Sequence, residues 1–282
     1  MYLKFYGFKE RPFNLTPNSK LFFPSQKHAE ALSSLLYAIN HRKGFIVITG
    51  EIGSGKTTVC RTLLNQLDQH TETALITNTH LNSKDLFMTI LEDLGIDFNP
   101  NWTKSRLLSS LNEYLIGQLQ RGRNVVLIID EAQNLTPLVL EEVRILSNLE
   151  TETEKLIQII LIGQPELKNK LALSCLEQLR QRVSVCFHLS ALDYSETKEY
   201  ILHRLKISSG SGREYFTEEA LELVYQFSKG VPRLINQICD LAFLSGYVDS
   251  APIIDERIMR EVIEESPMQK LSFEKALLLT CK

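Results

Sequence analysis

The chain has 282 residues, of which 44% are hydrophobic and 23% are charged, values typical of a globular protein with one large domain or two smaller ones. The formal net charge of −3 gives no sign of a polyanionic partner, although the first fifty residues carry seven Lys/Arg against two Asp/Glu. Because the chain shows neither the apolar core of a secretory signal nor a run approaching the roughly 20 apolar residues of a membrane helix, a soluble chain without a membrane segment is expected. The expected location is the cytoplasm, either free or at the inner face of the inner membrane.

Two hydrophobic spacings alternate over the first two thirds of the chain. Runs such as NVVLII and LIQIILI are apolar except for one amide residue each, which is typical of strands buried on both faces of a parallel sheet. Strands are predicted at residues 45–49, 74–77, 124–129, 156–162 and 183–189, and helices at residues 28–40, 57–67, 83–94 and 104–120. This alternation predicts an α/β layered domain.

The pattern changes after about residue 194, where helical spacing continues without an intervening strand. Helical segments are predicted at residues 195–205, 217–229, 232–246 and 255–265. A small all-helical domain is therefore expected after the α/β domain. The predicted organisation is an N-terminal arm (residues 1–25), an α/β domain (26–192), a helical domain (193–266) and a C-terminal tail (267–282).

Five cysteines occur, and none of them forms a CxxC pair or lies at zinc-site spacing with a histidine. Buried reduced thiols are therefore expected, as in a reducing compartment. The cysteines are Cys60, Cys175, Cys186, Cys239 and Cys281.

A glycine-rich stretch between the first predicted strand and the next helix matches the phosphate-binding pattern GxxxxGK[ST]. Backbone amides can turn inward around a phosphate only where side chains do not block the approach, and the following helix offers its positive N-terminal end. Lys56 would contact the β- and γ-phosphates of ATP, and Thr57 would offer a hydroxyl to Mg²⁺. The predicted nucleotide-binding residues are Gly50, Glu51, Ile52, Gly53, Ser54, Gly55, Lys56, Thr57 and Thr58.

A second acidic site is needed for hydrolysis, and the sequence VVLIIDEAQN supplies one. Asp130 and Glu131 follow an apolar strand, at the end where open parallel sheets bind their ligands. Asp130 is predicted to hold Mg²⁺ together with Thr57, and Glu131 to polarise the attacking water.

The loop, the strand ending in Asp-Glu and the following helical domain together resemble an AAA+ ATPase. Four stretches resemble more narrowly the general secretion pathway A-type ATPases, and similar ATPases accompany pilus and exosortase-linked polysaccharide loci. The stretches are FYGFKERPFNLTPNSKLFFPSQKHAEAL, GFIVITGEIGSGKTT, LIIDEAQNLTPLVLEEVRILSNLE and LIGQPELKNKL, which continues into LEQLRQRV. The resemblance implies a P-loop AAA+ parallel-sheet ATPase domain followed by a small all-helical lid domain.

The resemblance also implies further site residues and partners. Gln164 would lie between the metal carboxylate and the γ-phosphate, Arg180 or Arg182 would enter a neighbouring subunit's site as a finger, and Arg233 would bind nucleotide from the helical domain. The implied cofactors are ATP and Mg²⁺. The chain is expected to self-associate as a dimer or ring. It is also expected to have a protein partner in the assembly of a secretion, pilus or exopolysaccharide system.

Two alternatives remain open from the sequence. DEAQN also resembles transposition helper ATPases, so an ATP-gated DNA-binding regulator is possible, with only the basic first fifty residues in its electrostatic favour. A scaffold that binds ATP without hydrolysing it would not require Glu131. The role of the N-terminal arm is open as well, because Phe22, Phe23 and Pro24 could either cover the adenine or pack in the core.

Overall fold

The computed structural model describes residues 1–16, 18–210 and 212–266. They form two compact units. The α/β unit comprises Gln26–Ile52 and Lys56–Ser190, and the helical unit comprises Met1–Ser25, Gly53–Gly55 and the described residues from Ala191 onward. None of the helices in the described ranges has both the length and the apolarity that crossing a bilayer requires.

The described helices and strands follow one another in the predicted alternation. The helices are α1 (Tyr2–Tyr6), α2 (Gln26–Asn40), α3 (Lys56–Gln66), α4 (Ser83–Asp93), α5 (Lys104–Gln120), α6 (Pro137–Leu146), α7 (Pro165–Leu171), α8 (Glu177–Arg180), α9 (Tyr194–Ser209), α10 (Glu218–Ser228), α11 (Pro232–Val248) and α12 (Glu256–Glu265). The strands are β1 (Phe45–Gly50), β2 (Thr71–Ile76), β3 (Asn124–Ile129), β4 (Gln158–Gly163) and β5 (Val183–Leu189). Short 3₁₀ turns occur at Ser19–Leu21, Ala132–Asn134 and Ser174–Leu176.

The strands form one parallel sheet in the order β2-β3-β4-β1-β5. Every residue of β1 and β4 is buried, and so are the last five residues of β3. Alternate residues of these strands, such as Val47, Leu127 and Leu161, share one apolar cluster with α4, α5 and α6, while the residues between them are buried as well. The continuous apolar runs therefore belong to strands covered on both faces, and the predicted fold class is confirmed.

Because the strands are parallel, the carboxyl ends of β1, β3 and β4 lie at the same end of the sheet. β1 ends at Gly50, β3 at Ile129 and β4 at Gly163, and Thr49 pairs with Gly163 in register. Because β4 lies between β1 and β3, the segments that follow these three strands are neighbours. The carboxyl ends of the strands are where open α/β sheets present ligand-binding residues.

The helical unit has its own core, centred on Phe243 of α11. Rings from the N-terminal arm surround this side chain, with centroid distances of 4.7 Å for Tyr6, 5.1 Å for Phe8 and 6.0 Å for Phe13. The buried Arg204 of α9 also holds the arm, because its Nε donates to the carbonyl of Pro12 at 2.6 Å. Aromatic side chains of the arm are thus part of the hydrophobic core of the helical unit.

Two of the cysteines differ from the expectation of buried thiols. Cys60 and Cys239 are buried, and burial raises the pKa of the Cys60 thiol to about 12. Cys175 and Cys186 are exposed free thiols, so the prediction was wrong for them. Cys186 lies on β5, an edge strand whose residues alternate between partly buried and exposed positions. Cys281 lies outside the described residues.

Candidate nucleotide-binding site

The glycine-rich loop connects β1 to α3, as its sequence predicts. Gly53 has φ +80° and Gly55 has φ +97°, a backbone conformation that residues other than glycine rarely adopt. Within the helical unit, a Cβ on Gly53 would also lie only 2.6 Å from Cβ of Arg233. The backbone N–H of Arg233, in the first turn of α11, donates to the carbonyl of Gly53 at 3.3 Å. The backbone conformation thus favours glycine at two positions of the loop, and at Gly53 the lack of space favours it as well.

Lys56 is the first residue of α3, and its side chain is buried. Its Nζ donates to the carbonyls of Gly50 at 2.8 Å and Glu51 at 2.9 Å, so the ammonium is hydrogen-bonded to the backbone at the start of the loop. Burial lowers the pKa of Lys56, and the nearby carboxylates of Glu131 and Asp130 partly oppose that shift. A buried ammonium with carbonyl partners can exchange them for phosphate oxygens with little rearrangement.

Asp130, directly after β3, contacts the first turn of α3. Its Oδ2 accepts the hydroxyl of Thr57 at 3.1 Å, and its Oδ1 accepts the backbone N–H of Glu131 at 2.9 Å. Burial raises the pKa of Asp130, while these two hydrogen bonds partly lower it. The two predicted metal-binding residues are therefore in direct contact.

Glu131 has an unusual backbone and a side chain held by two amides. Its φ is +53°, which is rare for a residue with a Cβ, and it precedes the 3₁₀ turn at Ala132–Asn134. Its Oε2 accepts Nε2 of Gln133 at 2.6 Å and Nε2 of Gln164 at 3.3 Å. The structure thus brings Gln164, which follows β4, to the predicted catalytic carboxylate.

Gln133 is the residue of this cluster that the sequence reasoning missed. It belongs to the same DEAQN motif, two positions after Glu131, and that position was the available signal. Besides its contact with Glu131, its Oε1 accepts the backbone N–H of Gln164 at 3.0 Å. Its role depends on the proximity of β4 to β3, which the sequence does not state.

The other loop residues differ in exposure. Glu51 and Ile52 are exposed, with Ile52 retaining 62% of its accessible surface. Ser54 is buried, and Thr58 lies half-buried on α3, where its carbonyl accepts the hydroxyl of Thr62 at 2.8 Å. Phosphate contacts from this part of the loop would come from backbone amides.

The two arginines after α7 differ in their surroundings. Arg180 ends α8 with its side chain half exposed, and its nearest carboxylate, Glu177, is 3.9 Å away. Nη1 of Arg182 instead donates to the hydroxyl of Ser147 at 3.3 Å, next to the end of α6. Within the described ranges, neither arginine has a hydrogen bond or ion pair with the loop or the acidic pair.

The residues present fit Mg²⁺ bound together with a nucleotide. In the part of the chain that the structure describes, no group of three or more His, Cys, Asp or Glu side chains could hold a metal ion. Mg²⁺ commonly takes one or two protein oxygens and completes its shell with water and phosphate. Thr57 and Asp130 offer such a pair of oxygens next to the loop.

The sheet, the glycine loop between β1 and α3 and the acidic end of β3 define an AAA+ protein. Residues 39–171 match the AAA domain family AAA_22. Among solved structures, the Aeropyrum pernix ORC2 protein has a TM-score of 0.68 at 16% identity, covering 92% of this chain and 72% of that chain. The Thermotoga maritima RuvB Holliday junction branch migration motor has a TM-score of 0.58 at 20% identity, covering 85% and 68%. These likenesses concern the fold alone.

A sequence relative narrows the assignment. General secretion pathway protein A of Aeromonas hydrophila is 40% identical over 247 residues, which are 88% of this chain and 45% of that protein. The chain thus spans about half the length of this relative. The resemblance read from the motifs is confirmed: an AAA domain is present, and 88% of the chain is similar to a general secretion pathway A-type protein.

Proposed function

We propose that the chain is an ATPase that binds ATP with Mg²⁺ and hydrolyses it. The observation that carries the proposal is the 3.1 Å contact between the Thr57 hydroxyl and Asp130 Oδ2, with Lys56 beside Thr57 in the loop. A hydroxyl, a carboxylate and a lysine around a glycine loop are the parts that phosphoryl transfer requires. When bound, Mg²⁺ neutralises charge on the β- and γ-phosphate oxygens.

Binding is assigned to the loop and to the start of α3. The backbone amides of residues 50–58 would surround the phosphates, aided by the N-terminal end of α3. Lys56 would exchange its bonds to the Gly50 and Glu51 carbonyls for bonds to phosphate oxygens. Arg233 would contribute a further positive charge to the nucleotide.

Hydrolysis is assigned to the residues that follow β3 and β4. Glu131 would accept a proton from the attacking water, and Gln164 would contact the γ-phosphate region through its amide. Arg180 or Arg182 would act in the site of a neighbouring subunit, where its charge would stabilise the transition state. Activity would then depend on a dimer or ring.

The cellular role is proposed from the relative. The relative is named as a protein of the general secretion pathway, so ATP hydrolysis by this chain would drive or regulate assembly of a cell-envelope system. A protein partner in that system is expected. Recovery of such a partner from its own cells with Glu131→Gln, which would retain ATP, but not with Lys56→Ala, would support this role. Equal recovery with both variants would count against it.

Turnover measurements test the enzymatic proposal. Lys56→Ala should lose nucleotide affinity, whereas Glu131→Gln should keep affinity and lose turnover by about 10²- to 10⁴-fold, the usual contribution of a general base. Lys84→Ala and Glu113→Gln, at a partly exposed and an exposed helix position, are matched controls. If Lys56→Ala and Glu131→Gln both hydrolyse ATP like the parent protein, the proposal is wrong.

A further inference from the structure

The backbone of Glu131 is held from several sides in a conformation that costs energy. A residue with a Cβ in the left-handed region is disfavoured by roughly 1–2 kcal/mol. Its N–H donates to Asp130 Oδ1 at 2.9 Å, and its carbonyl accepts the N–H of Asn134 at 3.0 Å and the hydroxyl of Thr79 at 3.3 Å. Such conformations persist where the surroundings over-determine them, and they concentrate at functional sites.

The carboxylate of Glu131 is held by an interlocked pair of carboxamides. Both Gln133 Nε2 and Gln164 Nε2 donate to Glu131 Oε2. The Oε1 atom of Gln133 accepts the main-chain N–H of Gln164, so one amide links Glu131 to the end of β4. Among the described residues, Glu131 Oε1 accepts no hydrogen bond that the structure shows, and it remains available for a water.

The surroundings of Gln133 are built to fix this amide. A Cβ on Gly163, the last residue of β4, would lie 2.8 Å from Oε1 of Gln133 and 3.0 Å from Cδ2 of Leu167, so a side chain there would press on the amide in its present position. The ammonium of Lys170 donates to the carbonyl of Gln133 and, at 2.7 Å, to that of Leu135. Gln133 is thus fixed through both its backbone and its side chain.

We propose that Gln133 is a positioning residue, which occupies Oε2 of Glu131 so that Oε1 is presented to the attacking water. This proposal rests on the ATPase function proposed above. A carboxamide suits the task because it donates to the carboxylate with one end and accepts the Gln164 N–H with the other. Misplacing a reacting group by about 1 Å can cost about 100-fold in rate.

The first experiment replaces Gln133 by a residue of similar length that neither donates nor carries charge. In Gln133→Met, kcat should fall by about 10- to 100-fold, while KM and nucleotide affinity stay unchanged because the loop is not altered. Gln226→Met, on the exposed face of α10, is the matched control and should match the parent protein. An unchanged or raised kcat in Gln133→Met would overturn the proposal.

A second variant reaches Gln133 without changing it. Gly163→Ala should displace the Gln133 amide and lower kcat like Gln133→Met, and the double variant should be no worse than either single one. Additive losses would mean that the two residues act separately and would contradict the proposal. If Gly163→Ala fails to give a cooperative thermal transition, Gln133→Met decides the outcome.

The Glu131→Gln background separates this proposal from the ATPase proposal. If Gln133 acts only through Glu131, then Gln133→Met should cause no further loss once the carboxylate is gone. A further loss in that background would assign Gln133 a separate role and overturn the inference. If Glu131→Gln itself retains parent turnover, the ATPase mechanism fails; if Glu131→Gln is inactive and Gln133→Met is fully active, only this inference fails.

Discussion

The Thr57 hydroxyl donates to Oδ2 of Asp130 at 3.1 Å, across 73 positions of the sequence. The sheet explains this contact, because β1 and β3 run parallel on either side of β4 and end at the same edge. The chain leaves β1 for the edge strand β2 before it returns to β3. Thr57 and Asp130 are therefore in contact because of the strand order, although they are far apart in the sequence.

This contact leads to a prediction about Thr57. Thr57→Ala removes the hydroxyl that is proposed to bind Mg²⁺, so the Mg²⁺ concentration for half-maximal activity should rise by about 10-fold or more. Thr57→Ser keeps the hydroxyl and should remain close to the parent protein. Titration of ATPase activity with Mg²⁺ measures the effect. Equal Mg²⁺ dependence in Thr57→Ala and Thr57→Ser would show that the hydroxyl is not a ligand.

A second prediction concerns the stability of the nucleotide-free protein. Burial raises the pKa of Asp130, so the folded state holds its proton more tightly than the unfolded state does. The sign follows from proton linkage: the destabilisation by Asp130 is absent below its unfolded pKa, grows as the pH rises towards its folded pKa, and is complete above the folded pKa. Asp130→Asn should therefore raise Tm at neutral pH, with a gain that shrinks in mild acid, while abolishing hydrolysis.

Calorimetry at both pH values, without nucleotide or Mg²⁺, measures this effect. Asp85→Asn, in the first turn of α4, is a suitable control because the Asp85 side chain is only partly buried. A lower Tm for Asp130→Asn at neutral pH would mean that the Lys56 and Thr57 contacts outweigh the cost of burying the charge.

A third prediction separates the two candidate finger arginines. Arg182 donates to the Ser147 hydroxyl at 3.3 Å, whereas the half-exposed Arg180 has only a 3.5 Å contact with the Ala172 carbonyl and a carboxylate 3.9 Å away. Arg180→Ala should therefore lower turnover steeply, by about 10³-fold or more for a finger, with nucleotide affinity and Tm unchanged. Arg182→Ala should cost about 1 kcal/mol of stability through its lost hydrogen bond.

Mixing variants tests whether the arginine acts between subunits. Glu131→Gln subunits retain both arginines, so adding them to inactive Arg180→Ala subunits should restore part of the turnover. Absence of rescue, in mixtures whose joint assembly is verified by molecular mass, would count against a finger supplied by a neighbour. Loss of turnover in Arg182→Ala but not in Arg180→Ala would reverse the assignment.

The sequence predicted the parts of the fold that are buried on both faces. β3 and β4 were recognisable because NVVLII and LIQIILI are apolar except for Asn124 and Gln158, but only the second half of β2 was predicted. Its first residues, Thr71–Thr73, are polar and half-buried near the sheet edge, where burial places little demand on composition. The strand order, which creates the site, depends on long-range pairing that leaves no local signature.

The same limit applied to individual site residues. Gly55, Lys56 and Asp130 lie in motifs whose chemistry favours particular residue types at particular positions, so they could be named in advance as candidates. The role proposed for Gln133 depends on Gly163 of β4, which leaves space for its amide, and a single sequence does not show that approach. Local chemistry was therefore readable, and contacts between strands were not.

The N-terminal arm supplies the last prediction, because its aromatic residues are part of the helical unit's core. Phe13 is 1% exposed and its ring stacks 6.0 Å from that of Phe243, so Phe13→Ala should lower the free energy of unfolding by about 3–5 kcal/mol. Phe5→Ala, at a ring 40% exposed, should cost clearly less. Urea unfolding followed by circular dichroism compares the two. If both changes cost the same, the arm does not contribute to the core, and its aromatic residues need another explanation.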